Sequence, residues 1–197
     1  MAAVSETIVR EYFELHEFLV RQHRKYIVQT KREEDDIDFF LLNPKPQKRD
    51  GELPFVLTSP DLAFIERAIV VVKGWHTETF STAVLTNAPE IFRFVEPKVF
   101  QQAARAFGKE GATTKILVVP ALPHEAKARD ESIALLRSKG IDAVIPFRTM
   151  LTDLVARTEV NRNYQKSDLL QMIRILKNYD FFKDPQMELF KSRRKKR

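Results

Sequence analysis

The sequence predicts an α/β fold, a mixed sheet flanked by helices. Three observations carry the prediction. Short apolar runs bounded by turn residues recur at 37–42, 68–72, 115–119 and 141–146, and runs of that length read as buried strands. Longer stretches at 5–17, 123–139, 148–159 and 166–178 repeat apolar residues at helical spacing. Residues 115–146 form a strand, a helix and a strand, a unit that normally closes as a parallel pair with a right-handed crossover.

Taken in order, Ser5 is a plausible N-cap for the first helix, with Val9, Tyr12, Phe13 and His16 on one stripe and Glu6 at its border. Residues 18–29 are strand-like, and Arg21, Arg24 and Lys25 suit a charged sheet edge. An acidic turn from Glu33 to Asp38 leads into the second strand, which Asn43-Pro44 ends. Residues 44–58 read as a polar loop around Asp50-Gly51. Ser59-Pro60 reads as cap and first turn of a short helix through Arg67. The strand Ala68–Val72 follows and closes on Lys73. Residues 79–107 are read as two or three short helices, starting near Asn87-Ala88-Pro89-Glu90 and broken at Pro97. Gly140 ends the helix at 123–139.

Composition bounds the function. With 197 residues, 44% hydrophobic, and 15 Phe against one Trp, the chain can bury one Phe-rich core. One domain over 1–183 is expected, followed by a disordered basic tail at 184–197. The formal charge is +6, and residues 191–197 alone hold six cations, so the body is near neutral. That tail suits a solubilising extension, a phosphate-backbone grip or a localisation-type patch. Absence of cysteine excludes disulfides, thiolate catalysis and Cys-ligated zinc. No apolar run approaches the roughly 20 residues of a membrane span, so no membrane partner is expected and the cytoplasm is the default compartment. Phosphate-loop, dinucleotide and hydrolase-elbow glycine motifs are missing. His76-Thr77-Glu78 lacks the cysteines of a zinc deaminase, and His124-Glu125 lacks a second histidine.

What remains is Glu6, Asp38 and Lys73. If the 37–42 and 68–72 strands pair antiparallel, Asp38 opens one beside the end of the other, where Lys73 stands. Glu6-Thr7-Ile8-Val9 and the helix after it, Asp36-Ile37-Asp38 before apolar residues, and Val70-Val71-Val72-Lys73-Gly74-Trp75 together resemble the PD-(D/E)xK, restriction-endonuclease-like proteins. The similarity spans roughly residues 5–150 in element order. The resemblance implies a nuclease-type sheet in which two carboxylates hold Mg²⁺ (or Mn²⁺) and a lysine orients the attacking water. Two positions depart from that pattern. Glu17 stands where a glycine is preferred, and Val71 stands where the strand's Asp or Glu belongs. A migrated acid nominates Glu90, and less readily Glu78, with Glu6 or Asp36 as supports.

Two functions follow from the resemblance. One is a variant Mg²⁺-dependent phosphodiesterase acting on DNA or RNA, with Asp38 and Glu90 on the metal, Lys73 on the water and Glu6 in support. The other is a degenerate module of the same fold that binds nucleic acid or a protein partner without cleaving. Trp75 and His76 are expected at the same rim, with Trp75 mainly packing.

Overall fold

The computed structural model describes residues 2–22, 37–108 and 112–182. Arg24, Lys25, the strand-like residues to 29, the acidic turn with Asp36 up to that residue, and the tail at 184–197 lie outside the described residues. The chain divides into two compact units, 1–154 and 155–197, where the sequence reads one domain through residue 183.

The first unit holds α1 (Ala2–Leu15), β1 (Leu19–Gln22), β2 (Phe39–Leu42), β3 (Arg67–Val72), α2 (Thr82–Asn87), α3 (Pro97–Ala104), β4 (Thr114–Val119), α4 (Ala126–Ser138) and β5 (Ala143–Pro146). The strands form one sheet in the order β1-β2-β3-β4-β5. β1, β2 and β3 pair antiparallel, with Phe39 beside Val70, whereas β3, β4 and β5 run parallel. The antiparallel pair and the parallel unit both match the sequence reading. β5 runs straight into α5 (Phe147–Arg157), which crosses the boundary between the units.

Alternation along the strands sorts the core onto two faces. One carries Phe40, Ile69, Val71, Leu117 and Val144, packed with Leu85, Ile91, Phe94, Val99 and Leu136 from the helices after β3 and β4. Phe39, Leu41, Val70 and Val118 alternate with these and are equally buried. The loop at 44–58 is not polar throughout: Phe55 and Leu57 are buried, and Val56 bridges Val144 beside β5. Its last residues therefore line the sheet margin.

Helix starts differ from expectation at two points. α1 begins at Ala2, so Ser5 lies inside the helix at 1% exposure and is no N-cap. At 59–64 the short helix is 3-10, its N-cap is Thr58, and Arg67 already belongs to β3. Asp61 takes the role that moved the cap: its carboxylate accepts from the Thr58 N–H at 2.9 Å and the Thr58 hydroxyl at 2.5 Å. Burial pushes the Asp61 carboxyl up, but the Thr58 bonds and the Arg49 guanidinium outweigh it and leave it below its ordinary value. Pro89 and Pro97 each enter the first turn of a helical segment, at 89–95 and 97–104. There the absent N–H costs nothing.

Helix stops share one device. After α1, Phe18 N–H bonds Phe13 O at 3.1 Å and Glu17 N–H bonds Glu14 O at 3.0 Å. Those two bonds make a Schellman ending with residue 17 at C′. Phe18 and Phe13 supply its apolar contact, ring centroids 5.5 Å apart. After α4, Ile141 and Gly140 bond Leu136 and Arg137 in the same way. Gly140 takes φ 88° and Glu17 takes φ 64°. The left-handed conformation is free for glycine and costs a side chain about 1 kcal/mol. Glu17→Gly is therefore expected to raise unfolding stability by about 1 kcal/mol, and Gly140→Ala to lower it by about as much. Urea denaturation of both variants checks the pair. The glycine missing at 17 changes strain at the turn and leaves its geometry.

The second unit contains α6 (Asp168–Asn178), capped where Leu170 N–H donates to Ser167 Oγ at 3.2 Å. Lys177 Nζ donates to the Val155 and Thr158 carbonyls at 2.9 and 2.7 Å, satisfying acceptors at the end of α5.

Candidate functional site

The strand directions decide what meets at the sheet's end. β1 runs antiparallel to β2, and β2 to β3, so the end of β1, the start of β2 and the end of β3 form one rim. Gln22, Asp38 and Lys73 stand at those three places. Glu6 joins them from α1, because its Oε2 accepts from Gln22 Nε2 at 2.6 Å. Thus Glu6, Asp38 and Lys73, far apart in sequence, lie along a common edge.

Their individual bonds determine what the edge can do. Asp38 brackets Val71. Its N–H bonds the Val70 carbonyl at 3.0 Å, and its Oδ2 accepts the Val72 N–H at 2.6 Å. A carboxylate accepting a backbone N–H at that length makes a charge-assisted bond. Val71 between them is 1% exposed and belongs to the apolar cluster. The position where the resemblance wants an acid is therefore sealed by hydrocarbon. Glu90 is exposed on the 3-10 turn at 89–95. Among the described residues, no three His, Cys, Asp or Glu side chains gather as a metal-binding group. Among the described residues, Glu6 and Asp38 are the carboxylates placed at this rim, fewer than the several oxygens in near-octahedral array that Mg²⁺ takes.

Lys73 continues the β4 ladder, its N–H bonding Val118 O at 2.9 Å. Its side chain is half-buried, and no hydrogen bond or ion pair of its ammonium is found among the described residues. A lysine ammonium at a sheet rim can take an anionic ligand group such as a phosphate oxygen.

Past Lys73 the chain makes contacts that the sequence reading missed. Ser5 Oγ and His76 Nε2 are 2.9 Å apart, joining α1 to the segment after β3. The His76 ring meets Phe147 edge-on at 4.7 Å, so it also touches the start of α5. Gly74 lies between them, where a Cβ would collide with Ser5 Oγ and lie 3.0 Å from Ser5 Cβ. His76 is exposed, and its ring makes these two contacts at the surface. A glycine directly after a strand's terminal lysine is the one sequence signal of this close approach. Further out, Trp75, His76, Thr77, Glu78, Val84, Asn87 and Ala88 line a groove of about 500 Å³. Trp75 leans on buried Phe80, ring centroids 5.6 Å apart, and remains half-buried.

No helix among the described residues is long and apolar enough to cross a membrane. Compared with protein-family models, with curated proteins and with solved structures, the chain matches none.

Proposed function

We propose that this chain is a nucleic-acid-binding module built on a restriction-endonuclease-like sheet, in which the former metal-ligand position serves structure. The observation that supports it best is the pairing at Asp38: the carboxylate holds the Val72 N–H at 2.6 Å while Val71 beside it is buried. Lys73 supplies a phosphate contact at the rim, and the six cations at 191–197 add affinity without sequence preference. A variant Mg²⁺-dependent phosphodiesterase, with Asp38 and Glu90 as ligands, is the second reading. The placement of Lys73 and Asp38 on one rim of the sheet favours it.

Labelled single- and double-stranded DNA and RNA, incubated with the protein in Mg²⁺ or Mn²⁺, separate the two. Salt-sensitive binding without strand scission is expected, weakened several-fold by Lys73→Ala. Cleavage that disappears in both Asp38→Ala and Lys73→Ala would establish the nuclease instead. Glu90→Ala and Glu6→Ala would then locate its second acid.

A further inference from the structure

We propose that the groove walled by Trp75 and Asn87 receives one unstacked nucleobase of a single strand, with the adjoining phosphate held by Lys73. The proposal rests on the nucleic-acid reading above and names the form of nucleic acid.

The groove's chemistry suits a base better than other ligands. Its volume of about 500 Å³ lies in the range of small-ligand pockets. One wall is an indole, partly exposed and propped by Phe80 at 5.6 Å. An indented aromatic surface with a fixed prop is a stacking platform, and every base has a π-face to lay on it. The Asn87 amide, exposed at the end of α2, carries both donors and an acceptor and can meet any base edge. Glu78 is exposed on the same lining, and its carboxylate repels a phosphate, so the uncharged part of a nucleotide enters.

The charged part has its own place. Lys73 lies two residues before Trp75, at most about 7 Å away between Cα atoms. That spacing leaves the ammonium, on its long side chain, within reach of a phosphate attached to a base in the groove. Duplex bases have both faces covered by neighbours, so only an unpaired, unstacked base can use the site.

Trp75 is the only tryptophan of the chain, so its fluorescence reports this groove and nothing else. The experiment titrates the full chain with adenosine and guanosine monophosphates, then with a single-stranded oligonucleotide and its duplex. Binding of the labelled oligonucleotide is followed in parallel by anisotropy. Saturable quenching by the mononucleotides and by the single strand is expected, with the duplex at least tenfold weaker. Trp75→Ala is expected to weaken the single strand about 10- to 100-fold. Trp75→Phe keeps an aromatic wall and is expected to lose less, which guards against misfolding of the alanine variant. Asn87→Ala, on an exposed position, is expected to reduce mononucleotide quenching.

Oligonucleotide binding with tryptophan emission unmoved would overturn the groove proposal and leave the nucleic-acid reading standing. Quenching by mononucleotides with no oligonucleotide bound would support a base site but overturn its single-strand occupant, and with it the nucleic-acid reading. Quenching by duplex as strong as by single strand would overturn the preference for an unpaired base.

Discussion

Asp38→Ala is expected to lower unfolding stability by about 1–2 kcal/mol, and Asp38→Asn by less than about half of that. The difference follows from the bond to Val72. Asp38 Oδ2 accepts the Val72 N–H at 2.6 Å beside the sheet's buried centre. Alanine leaves that half-buried donor without its acceptor, and an orphaned donor partly shut from water carries part of its desolvation penalty. Asparagine keeps a carbonyl oxygen at the same reach and gives up only the charge assistance. A carboxylate poised for metal behaves in the opposite manner, since neutralising it removes ligand function and leaves stability equal or higher. Urea unfolding of the parent and both variants reads the order directly. Equal or increased stability in Asp38→Ala would remove the structural role assigned to this side chain.

Gly74→Ala is the second large effect, a loss of about 1–3 kcal/mol from overpacking. An added Cβ meets Ser5 Oγ and, at 3.0 Å, Ser5 Cβ. Ser5 cannot withdraw, because it is 1% exposed within α1 and its hydroxyl is bonded to His76 at 2.9 Å. The clash therefore levers α1 away from the segment that carries Lys73 and Trp75. Ser5→Ala removes the nearer atom at the cost of the His76 bond. Ser5→Ala/Gly74→Ala together should consequently cost at least about 0.5 kcal/mol less than the sum of the single changes. Simple additivity in that cycle would show that the two positions do not press on each other.

Much of the sheet was legible in the sequence because its strands are short apolar runs with turn residues at both ends. Ala68–Val71 and Ile116–Val119 are buried on both faces, and such strands read as continuous hydrophobic runs. Gly140 announced the end of α4, since it is the residue that adopts φ 88° without strain. Local signals misled where two adjacent residues could each cap. Ser59 and Thr58 are both good N-caps, and only the Asp61 carboxylate reaching Thr58 decides between them. Ser5 misled for a different reason: its polar side chain is used on a partner 71 residues away, which no local pattern reveals.

The candidate site was legible as an edge and not as a bonding scheme. Strand direction was enough to bring Asp38 and Lys73 to one rim, whereas Glu6 was nominated by the resemblance and reaches the rim through Gln22. Whether a carboxylate there faces a metal or a neighbouring N–H depends on angstrom-scale register. The Glu6 bond to Gln22 at 2.6 Å and the Asp38 bond to Val72 at 2.6 Å exist only once three strands are in place. The groove beyond Lys73 was hidden because its walls come from the turn after β3 and from α2.

The most direct test places a paramagnetic ion against the Asp38 carboxylate. In an amide nitrogen–proton spectrum, the Val72 and Asp38 signals should keep their intensity as Mn²⁺ is raised to millimolar levels. Selective loss of those signals at low Mn²⁺, recovered on adding excess Mg²⁺, would mean that Asp38 binds metal and that the rim is a nuclease centre after all.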